Sequence, residues 1–173
     1  YRSQGVTISD VARHSSGAAV LGPAFVEPGL NYRLSDIQAA VGCAQMEQLD
    51  TVLERRRSVG DRYRAVLDTL PGVLPPGVPS GYEHTYQTFC CTVDDDAPVD
   101  RDTLVERLRD RGIASAPGAV TAHHEVAYRG YTRDLLPATE HLRARSFLLP
   151  LYPQMRDDEV SYVLTQLEEA LRP

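Results

Sequence analysis

Residues 28–42, PGLNYRLSDIQAAVG, decide how the rest of the chain is interpreted. Ser35 is followed three residues later by Gln38, a capping-box pattern that predicts the start of a helix. Asn31 and Arg33 stand shortly before that start. An amide and a guanidinium beside a helix N-terminus can bind a phosphate dianion. The alternative is that Asn31 only forms a turn before the helix, as asparagine often does.

The apolar residues after Ser35 recur at intervals of three and four and predict one long amphipathic helix. The spacing persists over 35–70, about 35 residues, whereas the mean helix of a globular protein has about 11 to 12. Pro71 and Gly72 end it, and a helix of this length suits a strut between two domains. Arg55–Arg57 form a charged stripe on it that is expected to face solvent, with a dimer contact as the second possibility.

The residues after this helix predict a small α/β layer pair in which strands and helices alternate. Strands are predicted over 84–93, near 113–120 and over 146–153, and Pro150 indicates that the last of them lies at a sheet edge. Helices are predicted from Asp100 to Gly112, over 137–145 and at the C-terminus.

The composition is that of a globular domain and excludes several functional classes. The chain has 173 residues, of which 42% are hydrophobic and 24% charged. A net charge of -6 argues against a general nucleic-acid binder, which needs a cationic surface. No apolar run approaches the length of a membrane span. Three cysteines without disulfide-type or metal-type spacing fit a reducing compartment, so a cytoplasmic location is expected.

The chain contains no lysine, since all 18 of its basic residues are arginine. An arginine side chain stays protonated and cannot act as an amine nucleophile. By itself, therefore, this chain cannot form a Schiff base with an aldehyde cofactor through a side chain.

Three segments together resemble the DegT/DnrJ/StrS family of sugar aminotransferases. They are GLNYRLSDIQAAVGCAQMEQLDTVLERRRSVGDRYRAVLDTLPGV (29–73), RDTLVERLRDRGIASAPGAVTAHHEVAY (101–128) and LLPLYPQMRDDEVSYVLTQLEEAL (148–171). The resemblance implies an α/β fold, the C-terminal part of an aspartate-aminotransferase-like fold in which a long linking helix precedes a small α/β sandwich domain. Residues 1–34 would then end the large cofactor domain, 35–70 would link the domains, and 71–173 would form the small domain.

The function implied by the resemblance is that of a pyridoxal 5'-phosphate (PLP) enzyme in sugar or antibiotic biosynthesis. It would move an amino group from an amino acid, usually glutamate, to a keto-sugar that is usually nucleotide-linked. In the family the reactive lysine lies upstream of the segment seen here, so the chain looks like a C-terminal portion. Its partner would be a second copy in a homodimer of the parent enzyme or a chain carrying the lysine.

Two alternatives stay open at this point. One is a sugar dehydratase of the same family, which uses pyridoxamine phosphate (PMP) and has a histidine in place of the lysine. The other is a non-catalytic interaction or regulatory module, because the chain has no lysine of its own.

The resemblance also implies roles for three residues. Asn31 would reach the cofactor phosphate of the partner subunit, and Arg33 would fix the same loop or meet a substrate phosphate, although a surface pair with Asp36 is also possible. His123 would approach the substrate and donate to a sugar hydroxyl or a diphosphate. A metal site is not expected at His123 and its next two neighbours, because consecutive residues seldom point at one centre.

Overall fold

In the computed structural model, which describes residues 28, 30, 32–128, 130 and 136–173, the chain divides into two units after Gln48. Each unit has its own internal contacts and is described by itself below. Within the described part of the chain, no helix combines the length and the apolar character needed to cross a membrane.

Helix α1, Asp36–Met46, begins where the sequence predicts it. The capping box is confirmed, because Ser35 Oγ accepts a hydrogen bond from the Gln38 amide at 3.3 Å and Gln38 Oε1 accepts one from the Ser35 amide at 3.0 Å. The apolar side chains of α1 are nevertheless not in a core: no residue of α1 is buried, and Ile37 is 80% exposed and Val41 59%. Among the described residues of its own unit, the amphipathic pattern of α1 therefore has no covering surface.

The prediction of one continuous helix over 35–70 is wrong. Helix α1 ends at Met46 and a second helix, α2, runs over Leu49–Leu67. The Gln48 amide bonds the Gln45 carbonyl, three residues back rather than four, at 3.2 Å. Glu47 and Gln48 form the turn, and since neither is a glycine or proline the sequence contains no breaker signal at this point.

Four strands form one antiparallel sheet in the second unit. They are β1 (Val73–Leu74), β2 (Phe89–Val93), β3 (Ala116–Pro117) and β4 (Ser146–Leu149), in the order β1-β2-β4-β3. The prediction that Pro150 marks an edge strand is wrong, because β4 pairs with β2 on one side and with β3 on the other. Pro150 directly follows β4, where its missing amide removes no bond from the ladder.

Three more helices complete the second unit: α3 (Arg101–Asp110), α4 (Pro137–Arg145) and α5 (Asp157–Ala170). Asp100 caps α3 through the Thr103 amide, and Gly112 follows that helix with a φ of 73°, a backbone conformation that glycine adopts readily. Helix α5 packs against both α2 and α3. The sheet and helices α2, α3 and α5 share one core, to which α4 contributes no buried residue. Its largest fully buried side chains are Tyr63, Phe89, Phe147, Leu67, Leu104, Leu108 and Leu167.

A loop that precedes β2 is held against α2 by arginines. The strand predicted over 84–93 begins only at Phe89, and the preceding Tyr86 has a φ of 45°. Arg56 donates from Nη1 to the carbonyl oxygens of Tyr86 and Gln87, at 2.8 and 3.2 Å. The prediction that the Arg55–Arg57 stripe faces solvent is therefore wrong for Arg56, whose guanidinium anchors the loop, whereas Arg55 is exposed.

Candidate functional site

The residues before α1 form the first candidate site, and the structure describes only part of it. Asn31 lies outside the described residues, so its proposed phosphate contact remains a prediction. Arg33 is described and exposed, two positions before the cap at Ser35. The guanidinium is thus attached to the segment that leads directly into the N-terminus of α1.

The N-terminus of α1 can offer only some of its donors to an anion. The first amides of a helix have no intrahelical partner, and they carry a partial positive charge. The capping box already uses the amides of Ser35 and Gln38, which leaves those of Asp36 and Ile37 to face a ligand. The Asp36 carboxyl in the first turn opposes an anion unless a cation such as Arg33 offsets it. These residues therefore fit one wall of a phosphate site but cannot form a complete one.

A histidine pair and a glutamate form the second candidate site, in the second unit. His123 and His124 lie in a one-turn 3-10 helix, Ala122–His124, and Glu140 lies in α4. Glu140 Oε1 contacts Nε2 of His123 at 2.5 Å and Nε2 of His124 at 2.7 Å. Two imidazole nitrogens thus converge on a single carboxylate oxygen.

The three side chains of this cluster differ in burial, and His123 is the most buried of them. The side chain of His123 is 17% exposed, whereas those of His124 and Glu140 are 42% and 45% exposed. Hydrogen bonds from the two rings lower the pKa of the Glu140 carboxyl, and the bond from His123 has the larger effect. The carboxylate is therefore ionised at neutral pH and holds both rings in place.

Sequence reasoning identified His123 but missed Glu140. It tested His123 and His124 only with Glu125, and no spacing rule connects them with a residue 16 or 17 positions further on. Consecutive residues were expected seldom to point at one centre, yet both of these rings contact one carboxylate oxygen. The two rings are tilted by 53° with centroids 4.5 Å apart, so both Nε2 atoms reach Glu140. The glutamate could have been found only by knowing that α4 packs beside this turn.

The contact with Glu140 limits what His123 can do for a substrate. A histidine donates or accepts through two distinct ring nitrogens. Since Nε2 of His123 contacts Glu140, a ligand that binds this nitrogen must displace or share the carboxylate. The geometry thus assigns Glu140 the role of orienting His123.

Comparison with known proteins gives a family match over nearly the whole chain. The model of the DegT/DnrJ/EryC1/StrS aminotransferase family matches residues 1–168. The chain is also similar to the solved structure of the aminotransferase TlmJ from Streptoalloteichus hindustanus. That likeness has 24% identity and a TM-score of 0.78, and it covers 98% of this chain and 42% of TlmJ.

Two further solved structures have the same fold. Spr1654 from Streptococcus pneumoniae, in its PMP form, is 21% identical with a TM-score of 0.82, over 98% of this chain and 43% of that one. The sugar aminotransferase CalS13 from Micromonospora echinospora is 21% identical with a TM-score of 0.80, over 97% of this chain and 42% of that one. The chain thus has the fold of the matched part of these proteins and spans less than half of their length.

Proposed function

Since the chain belongs to the DegT/DnrJ/EryC1/StrS aminotransferase family, we propose that it is the C-terminal portion of a PLP-dependent sugar aminotransferase. The observation that carries this proposal is the family match over residues 1–168, together with the capped helix start behind Arg33. The enzyme would move an amino group from an amino acid, with glutamate as the expected donor, to a keto-sugar that is expected to be nucleotide-linked. The name of CalS13 supports a sugar substrate, and Spr1654 has been solved in PMP and PLP forms.

The residues before α1 would bind the phosphate of the cofactor. When bound, PLP supplies the electron sink that amino-group transfer requires. Arg33 and the free amides of α1 would add positive charge to one side of its phosphate. Asn31 would complete this wall from across a dimer interface. The reactive lysine would come from polypeptide outside these 173 residues, since none of them is a lysine.

His123 would bind the sugar substrate through the small domain, residues 71–173. Its partly buried ring is held by Glu140 through Nε2, so a hydroxyl or phosphate oxygen would meet Nδ1, which donates a hydrogen bond when both ring nitrogens are protonated. Residues 1–34 would end the cofactor domain, and α1 with α2 would connect the two. The exposed apolar side chains of α1 support this arrangement, because such a surface is expected to be covered in the assembled enzyme.

Hybrid dimers would test the proposed action of Asn31 across the interface. This chain is expressed together with the polypeptide that carries the lysine. Transfer from glutamate to a nucleotide-linked keto-sugar is measured for an Asn31→Ala variant, for a lysine-deficient variant and for their mixture. Each variant alone should be inactive or nearly so. In a two-fold dimer mixed at random, about a quarter of the sites combine an intact lysine with an intact Asn31, so the mixture should recover about that fraction of activity.

The other outcomes separate the alternatives. A mixture that stays inactive would mean that Asn31 does not act across the interface. A histidine at the lysine position, with loss of water from the sugar instead of amino transfer, would identify the dehydratase. If no lysine-bearing polypeptide restores any activity or PLP binding, the proposal is wrong and the non-catalytic module remains.

A further inference from the structure

The His123, His124 and Glu140 cluster has a donor set whose chemistry extends beyond sugar binding. It offers two imidazole nitrogens and one carboxylate oxygen, all within 4.8 Å of one another. Two histidines and a glutamate are the protein ligands of several zinc sites that keep a fourth position for water. We propose that these three side chains bind a divalent transition-metal ion, with zinc as the first candidate. The proposal does not rest on the proposed aminotransferase activity.

The convergence of the ligands is the first argument for the site. Each histidine uses Nε2, and both contact the same atom, Glu140 Oε1. A single ion pair would need only one of the two rings. If both rings were protonated, two cations would lie with their centroids 4.5 Å apart, at a cost in repulsion. A metal ion at this point would use both rings as neutral ligands and remove that repulsion.

The distances are compatible with insertion of an ion after a small rearrangement. Zinc lies about 2.0 to 2.2 Å from nitrogen and oxygen ligands, so tetrahedral ligands stand about 3.3 to 3.5 Å apart. The two nitrogen–oxygen separations are now 2.5 and 2.7 Å, hydrogen-bonding distances that must widen by about 0.6 to 1 Å. Glu140 and His124 are partly exposed and can rotate, whereas the more buried His123 provides a fixed ligand. Their exposure also gives water access to the fourth position.

The charges and protons balance for a neutral imidazole pair. One carboxylate and two neutral rings carry a charge of about -1, which a divalent ion converts to +1. Each ring keeps its proton on Nδ1 when Nε2 binds the ion, and any imidazolium first releases one proton to solvent. Because the ion would occupy Nε2 of His123, the metal and a sugar could not bind that nitrogen together. Binding is therefore measured without sugar or PLP, so that the result is independent of the proposed function.

Calorimetric titration with Zn²⁺ on the tag-free chain tests the proposal. Wild type should bind one ion per chain in this cluster. The variants His124→Ala and Glu140→Gln should each lose more affinity than the roughly 10- to 100-fold that removal of an outer-shell partner costs. His141→Ala is the matched control, since it removes an exposed histidine next to Glu140 that is not in the cluster, and it should bind as wild type does. Circular dichroism of each variant shows whether it is folded.

Absorption spectra with Co²⁺ identify the ligand type. An ion held by nitrogen and oxygen should lack the sulfur charge-transfer band that the exposed Cys43 would produce as a ligand. The proposal is overturned if wild type binds no ion, or if all four folded proteins bind with equal affinity. It is also overturned if removal of the Glu140 carboxylate leaves the affinity unchanged, because the three-ligand set would then not exist.

Discussion

Replacement of Gly60 by alanine tests the packing of α2 against the loop before β2. An added Cβ at Gly60 would lie 2.6 Å from Cδ2 and from Cε2 of the Tyr86 ring and 2.9 Å from its Cζ. Separations under about 3 Å are too short for two carbon atoms, whose optimal distance is about 3.5 to 4.0 Å. The ring has little room to move, because Tyr86 is 4% exposed and stacks on Phe89 with centroids 5.5 Å apart.

Two opposing effects set the magnitude. Alanine is favoured over glycine inside a helix by about 0.5 to 1 kcal/mol. Overpacking of a core costs typically about 1 to 3 kcal/mol. The loop that carries Tyr86 is held to α2 by Arg56, so the clash cannot be relieved by moving the loop alone. From the middle of these two ranges, we expect Gly60→Ala to lower the free energy of unfolding by about 1 kcal/mol.

Urea denaturation measures this change as a lower midpoint with an unchanged slope. In a Tyr86→Ala background the ring is absent, so Gly60→Ala should become neutral or stabilising, with a coupling of at least about 1 kcal/mol. Gly42→Ala in α1 is a control for helix propensity, because among the described residues an added Cβ would meet nothing within 4 Å apart from its chain neighbours and the backbone of its own helix. A Gly60→Ala protein that unfolds at the same or a higher urea concentration than wild type would refute the packing described here.

Three further substitutions have expected outcomes. Tyr63→Phe removes the hydrogen bond from the buried hydroxyl to the Pro150 carbonyl, 2.8 Å long, and should cost about 1 kcal/mol at pH 7 in urea unfolding. Burial raises the pKa of the Tyr63 hydroxyl above its usual 10.0, so the stabilisation by the protonated hydroxyl is complete below pH 10 and is lost at higher pH. Tyr63→Phe should flatten this alkaline loss of stability. An unchanged dependence of stability on pH would contradict the prediction. Hydrogen bonds from Thr103 lower the pKa of Asp100, so the stabilisation by this carboxylate is present above its unfolded-state pKa and is lost on acidification. In a pH titration followed by circular dichroism, Asp100→Asn should keep the cap and reduce the acid sensitivity of the helix signal. A loss of helix at neutral pH would argue against a simple cap. Arg56→Ala should lower the free energy of unfolding by about 1.5 to 3 kcal/mol, because its charged hydrogen bonds to the loop are lost. Arg55→Ala, the control, should change it by less than about 0.5 kcal/mol. Equal effects in urea unfolding would contradict the anchoring role of Arg56.

Local features were predictable because the residues that produce them are close in sequence. The capping boxes and caps follow from side chains three positions apart, as at Ser35 and Asp100. The helix over 137–145 and the apolar face of α5 follow from spacing within one segment. The resemblance to the aminotransferase family also rested on such contiguous segments, and the family match over residues 1–168 confirms it.

Features that join distant segments were mispredicted or missed. Pro150 suggested a sheet edge, yet β4 is central, because strand order depends on which partners pack on each side rather than on one residue. The turn at Glu47 and Gln48 contains no glycine or proline, so the residue types there gave no signal that the helix is interrupted. The contact of Arg56 with a loop 30 residues away could not be read from a charged run on a helix.

The sequence by itself determined the family, the absence of any lysine amine, and the positions of the helix caps, since each depends on residue identity or short-range hydrogen bonding. Only the tertiary structure brought Glu140 to both His123 and His124. The physical reason is that side chains far apart along the chain meet through the packing of whole helices and strands, and the energy of that packing is spread over many residues of a shared core.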